Sequence, residues 1–154
     1  MGLEIERKFL VADERWRAGA VGVLYRQGYI NTDTERVVRV RVIGDKAILG
    51  IKALITEVTR AEYEYEIPLA DGNEILEQIC LQPLIDKTRY RIDVGAHTWE
   101  VDEFHGDNDG LIVAEVELAS ETEPFDKPAW LGAEVTGDPR YLNASLVAQP
   151  FCRW

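Results

Sequence analysis

The sequence predicts a mainly antiparallel β protein of the α+β class, with eight strands able to close into a barrel and a few flanking helices. Three observations lead there. Apolar and charged residues alternate with a period of two through eight short segments, as in strands that bury one face. Turn signals separate those segments at spacings too short for parallel crossovers. Helical patterning is confined to three places, and there is no internal repeat.

The first segment, EIERKFLV, directs Glu4, Glu6 and Lys8 one way and Leu3, Ile5, Phe9 and Val11 the other, interrupted by Arg7. DERWRA then reads as a short helix. LYRQGYIN puts Gln27 and Tyr29 on one side. RVVRVRVIG opposes Arg39 and Arg41 to Val38, Val40 and Val42, and Gly44-Asp45 turns the chain into KAILGIKAL, where Lys52 opposes Ile51. TRAEYEYEIP lines up Arg60, Glu62, Glu64 and Glu66 against Ala61, Tyr63, Tyr65 and Ile67. Asp71 and Glu74 have the spacing of a helix N-cap and its acidic partner, leading into EILEQICL with Ile75, Leu76, Ile79 and Cys80 near one face.

In the second half, DKTRYRIDV opposes Lys87, Arg89 and Arg91 to Thr88, Tyr90 and Ile92, and Gly95-Ala96 marks a hairpin. HTWEVDEF sets Glu100 and Asp102 against Trp99, Val101 and Glu103. GDNDG is another turn, and LIVAEVELA sets Glu115 and Glu117 against Val116 and Leu118. Pro124 and Pro128 make the next stretch an irregular loop. Asp138-Pro139 resembles a helix start, with Tyr141, Leu142 and Leu146 following.

Composition narrows the function. The 154 residues read as one domain, long enough to bury its own core. A net charge of −11 argues against a nucleic-acid partner and suits a protein that gathers divalent cations. The chain shows no signal peptide and no apolar run long enough for a membrane span, so a soluble, cytoplasmic protein with no membrane partner is expected. Cys80 and Cys152 form no CxxC pair, and His97 and His105 have no ligand spacing, so any metal would be held by oxygen.

Two architectures satisfy the charged faces. An open sheet could show them to water, or a closed one could turn them inward to line a polar tunnel. Charge sorting favours the tunnel: surface ion-pair ladders mix signs, yet here basic residues gather on some strands and acidic residues on others. Like charges two apart repel unless a ligand relieves them, a multivalent anion on the basic strands and a divalent cation on the acidic ones. Arginine suits phosphate through its planar fork, and Glu-x-Glu aims two hard oxygen donors at Mg²⁺ or Mn²⁺.

With these residues in view, the sequence resembles the CYTH superfamily, the triphosphate tunnel metalloenzymes. Glu4-Ile5-Glu6-Arg7-Lys8 matches the ExExK signature and Glu115-Val116-Glu117 the closing ExE strand. RVR, GIK, EYEYEIP, KTRY and EVTGDPRYLNASL extend the likeness over essentially the whole chain, and it is closest to the compact single-domain bacterial members. The resemblance implies an eight-stranded barrel whose tunnel takes a small-molecule triphosphate. It implies that Lys8, Arg39, Arg41, Lys52, Lys87 and Arg89 clamp the phosphates, and that Glu4, Glu6, Asp102, Glu115 and Glu117 hold one or two Mg²⁺ or Mn²⁺ ions. Glu62 and Glu64 would act on the metal side or orient water, and Tyr29 would transfer a proton. The implied activity is metal-dependent hydrolysis of inorganic triphosphate to pyrophosphate and phosphate. Alternatives are an adenylate cyclase, an organic triphosphatase acting on nucleoside or thiamine triphosphate, and a non-catalytic polyphosphate- or nucleotide-binding module. An uncovered sheet or helix face leaves room for a homodimer.

Overall fold

The computed structural model describes residues 2–154. Among the described residues nine strands form in chain order: β1 (Leu3–Val11), β2 (Gly22–Tyr29), β3 (Arg36–Ile43), β4 (Lys46–Leu54), β5 (Thr59–Ile67), β6 (Ile85–Val94), β7 (His97–Phe104), β8 (Ile112–Glu117) and β9 (Leu131–Glu134). The first eight close into an antiparallel barrel in the order β5-β4-β3-β2-β6-β7-β8-β1, with β1 returning to β5 through Leu3↔Ala61, Glu4↔Arg60 and Ile5↔Thr59. The strands match the alternating segments of the sequence. Tight turns at Gly44 and Gly95, both at positive φ, produce the expected hairpins β3–β4 and β6–β7.

Four expected local features differ. The ninth strand lies within the stretch read as irregular; it adds to β1 beyond its pairing with β5, through Phe9↔Glu134 and Val11↔Leu131. Four residues are too few to show alternation. Helix α1 (Leu69–Gln78) starts before Asp71, with Pro68 at its N-cap, so Asp71 sits in the first turn instead of capping it. Asp138 does accept a hydrogen bond from the Arg140 N–H, but it caps only a 3-10 turn, Pro139–Tyr141, before the four-residue helix α2 (Ser145–Ala148). The DERWRA stretch likewise makes a 3-10 turn, Arg15–Arg17. No helix among the described residues is long and apolar enough to cross a membrane.

Alternation gives the barrel an outside and an inside, and both are partly filled by apolar residues. On the outside of β1, β7 and β8, Phe9, Trp99, Val101, Ala114 and Val116 are covered by Trp16, Leu118 and Trp130. Phe125 joins them edge-on, 5.7 Å from Trp99 and 6.0 Å from Phe9. Around β3, the helix α1 lays Leu76 against Val40 and Val42. Its approach is close enough that Gly72 faces Ala47, where a Cβ would stand 2.4 Å from the alanine's own.

The third apolar cluster closes the barrel from within. Tyr29, Val37, Ile85, Phe104 and Val113 stand on the inward faces of five strands, and the C-terminal segment brings Tyr141, Ala144, Leu146 and Val147 onto them. Burial of such side chains contributes about 1.5–3 kcal/mol each, enough to hold a short, largely non-helical segment in place. Most of the rest of the interior is polar, with Ile43 and Ile48 as apolar exceptions in its lining.

Candidate functional site

The strand order sorts the charges. Lys52, Arg39 and Arg41, and Lys87 and Arg89 stand on β4, β3 and β6, with β2 between the last two. Asp102 and Glu100, Glu115 and Glu117, Glu4 and Glu6, and Glu62 and Glu64 follow on β7, β8, β1 and β5. A basic half-wall therefore faces an acidic half-wall across one cavity of about 300 Å³. In chain order these strands are interleaved; only closure makes each half contiguous.

Every residue singled out in the sequence lines this cavity except Asp102. Closure sets basic and acidic side chains beside one another at several points. Lys52 Nζ donates to Glu4 Oε1 at 2.8 Å and lies 3.1 Å from Glu62 Oε2. Lys8 Nζ approaches Glu115 Oε1 at 3.6 Å and donates to the Tyr141 carbonyl at 3.2 Å. Arg39 lies 3.7 Å from Glu62 and 3.9 Å from Glu64. Its side chain lies over Gly50, its cross-strand partner, where a Cβ would stand 3.4 Å from Arg39 Nε.

Asp102 sits behind the lining, fully buried. One oxygen accepts from Lys87 Nζ at 2.8 Å and Arg89 Nη2 at 2.9 Å, and the other accepts from Arg89 Nε at 2.7 Å. The two cations of β6 thus engage both of its oxygens. Paired this way, its carboxyl stays far below the ordinary carboxylate range despite burial.

Other residues share the lining without having been singled out. Arg60, Arg91 and Glu100 lay on charged faces already visible in the alternation. Tyr25 shares the parity of Gln27 and Tyr29 on β2, and its ring centroid lies 5.1 Å from the guanidinium carbon of Arg41 and 4.9 Å from that of Arg89. Each cation meets the electron-rich ring face, which lets like charges stand near one another. Asn143 enters from the C-terminal segment, where no periodicity marks it.

The electrostatics reflect two like-charged walls. Burial, then Arg39 and Arg89, pushes Arg41 down to about 10. Burial also pulls Lys87 down to about 7, with Arg89 and Arg41 adding to the shift and Asp102 opposing it. On the acidic side, burial followed by Glu115 and Glu4 raises Glu6 to about 8. Burial would raise Glu115 too, but Lys8, Arg89 and Lys87 outweigh it and hold that carboxyl at about 2. Glu117 is raised by burial and by Glu4, Glu100 and Glu62, and Glu62 Oε2 is sealed from solvent without a hydrogen bond. The cavity thus concentrates positive charge on one side and negative charge on the other, with ion pairs where the two meet.

This donor set fits a hard divalent cation. Glu4, Glu6, Glu115 and Glu117 offer only carboxylate oxygen, and their mutual repulsion is what a bound cation relieves. Among the described residues no three such groups converge into a finished cage.

Fold and cavity together define a class: a closed antiparallel β barrel whose interior cavity is lined by a basic and an acidic half-wall. The CYTH domain family profile matches residues 2–150, and the chain belongs to that family. It is 54% identical over 151 residues to an inorganic triphosphatase of Acetivibrio thermocellus, covering 98% of this chain and 97% of the relative. It is 37% identical over 150 residues to an inorganic triphosphatase of Nitrosomonas europaea, covering 93% of this chain and 95% of that one. Among solved structures, an inorganic triphosphatase superposes with a TM-score of 0.64 at 33% identity, covering 93% of this chain and 96% of the other. A Bacillus halodurans structure with the same TM-score of 0.64 is 17% identical and shares the fold alone.

Proposed function

We propose that this protein hydrolyses inorganic triphosphate to pyrophosphate and phosphate with the help of Mg²⁺ or Mn²⁺. The observation that carries the reading is the division of one cavity into a basic and an acidic half-wall. The 54%-identical relative named an inorganic triphosphatase supports the choice of substrate.

In this reading Arg39, Arg41, Lys52, Lys87, Arg89 and Lys8 bind the phosphate oxygens and fix the chain of phosphorus atoms along the tunnel. Arg39 and Arg41 offer planar two-point contacts, whereas the lysines act as point charges. Glu4, Glu6, Glu115 and Glu117 hold the metal, which when bound neutralises phosphate oxygen charge and helps align the attacking and leaving oxygens. Glu62 and Glu64, across from Arg39, orient water for in-line attack on a terminal phosphorus, and Tyr29, buried beside Gln27, is the proton-transfer group. Most of the catalysis is positioning and fixed charge, as phosphoryl transfer allows. Asp102 serves this set by holding Lys87 and Arg89. Free thiols at Cys80 and Cys152 suit a reducing, cytoplasmic setting.

The test is product analysis. The protein is incubated with Mg²⁺ or Mn²⁺ and, separately, tripolyphosphate, ATP and thiamine triphosphate, and phosphate, pyrophosphate and cyclic AMP are measured. Phosphate released from tripolyphosphate far faster than from ATP, and lost in Glu117→Gln, is the expected result. Cyclic AMP with pyrophosphate from ATP, or binding with no product, overturns it.

A further inference from the structure

At the base of the tunnel two side-chain amides connect the basic strands. Gln27 on β2 is fully buried and every polar atom of its amide is used. Its nitrogen donates to the Tyr29 hydroxyl at 2.9 Å and to Asn143 Oδ1 at 2.9 Å, while its oxygen accepts from Arg41 Nε at 3.2 Å. Asn143 Oδ1 accepts a second hydrogen bond, from Lys87 Nζ at 2.9 Å.

Charge fixes the orientation of both amides. An ammonium and a guanidinium can only donate, so the Asn143 atom facing Lys87 and the Gln27 atom facing Arg41 must be oxygens. The remaining Gln27 atom, a nitrogen, then points at Asn143 Oδ1. That oxygen has both lone pairs engaged, so the Asn143 nitrogen is turned away from Lys87 and Gln27. No described residue accepts from it, and it is not sealed in the interior. Asn143 lines the tunnel.

We propose that Asn143 is a substrate-binding residue, its amide N–H donating to a phosphate oxygen while its oxygen holds Lys87 with one ammonium proton free for the same ligand. This rests on the reading of the cavity as a triphosphate site. The type of residue follows from its surroundings. Arg41, Lys87 and Arg89 already repel one another here, and burial has lowered the affinity of Lys87 and Arg41 for their protons. A further cation would add repulsion, whereas an amide adds a donor without charge. The C-terminal segment thus supplies a ligand as well as a wall.

Two variants separate binding from folding. Asn143→Asp keeps an acceptor for Lys87 and Gln27 but has no N–H and turns a negative charge toward phosphate. Asn143→Ala removes both functions. Steady-state kinetics on tripolyphosphate at saturating Mn²⁺ should show KM raised about ten- to a hundredfold in Asn143→Ala and at least as much in Asn143→Asp, with kcat within about fivefold of the parent. Calorimetric binding of tripolyphosphate should weaken in parallel. An unchanged KM in Asn143→Asp overturns the assignment, and that variant decides alone if the alanine variant fails to fold. Parent protein that neither binds nor hydrolyses tripolyphosphate overturns the triphosphate reading itself, whereas active parent with unaffected variants overturns only the role of Asn143.

Discussion

Replacing Asp102 by asparagine tests whether the buried carboxylate is a counter-ion or a metal ligand. The change removes one negative charge from a position where its own side chain is 1% exposed, Lys87 2% and Arg89 9%. Three short hydrogen bonds from two cations converge on it. An amide oxygen in the Oδ2 position can still accept from Lys87 and from Arg89 Nη2, but with the charge gone its NH₂ must face Arg89 Nε, donor against donor. Removing one member of a buried ionic set costs about 3–5 kcal/mol because the partner charge stays desolvated and unpaired. For a chain of this size each kcal/mol moves the thermal midpoint by roughly 2–4 °C, so the variant should melt about 6–20 °C lower. Calorimetry in metal-free buffer measures this directly. Tripolyphosphate should raise the variant's midpoint by more than the parent's, since the anion supplies the missing negative charge. A midpoint within about 2 °C of the parent, combined with a tenfold change in the metal concentration needed for activity, would refute the counter-ion reasoning.

Three further outcomes follow from the same geometry. Because the Glu6 carboxyl is raised to about 8, the folded protein keeps a proton between the usual carboxylate value and that pH which the unfolded chain has released. Metal-free stability should therefore fall as pH rises through this window; urea midpoints across the range should slope downward in the parent and flatten in Glu6→Gln, and an equal slope in both would exclude Glu6 as the source. Gly72→Ala should destabilise by about 1–3 kcal/mol in urea titration, even though alanine favours a helix interior by roughly 1 kcal/mol, because the new methyl group would meet Ala47. Tyr25→Leu should raise the KM for tripolyphosphate about tenfold while Tyr25→Phe stays near the parent, since the ring face holds Arg41 and Arg89; equal kinetics in the two variants would remove that role.

Much of the barrel was legible because alternation is a local property. A strand that buries one face must repeat every two residues, so the inward set Glu4, Glu6, Lys8, Arg39, Arg41, Lys52, Lys87 and Arg89 could be read segment by segment. Strand β9 and the start of α1 escaped, the first because Leu131–Glu134 is too short to carry a period. Asp71 misled because its capping pattern was outweighed by α1 beginning directly after Pro68 and docking on β3 and β4.

The sequence by itself determined which residues share a face and that the faces carry segregated charge. The tertiary structure decided which faces become neighbours. Hydrogen bonding between β5 and β1, and between β2 and β6, joins strands far apart in the chain and gathers an interleaved series into two opposed walls. It also paired Asp102 with Lys87 and Arg89 behind the lining, and brought Asn143 from the far end of the chain to the tunnel base. Periodicity reports the direction of a side chain from its own backbone; the partner it meets depends on strand register and on what packs into the barrel's end.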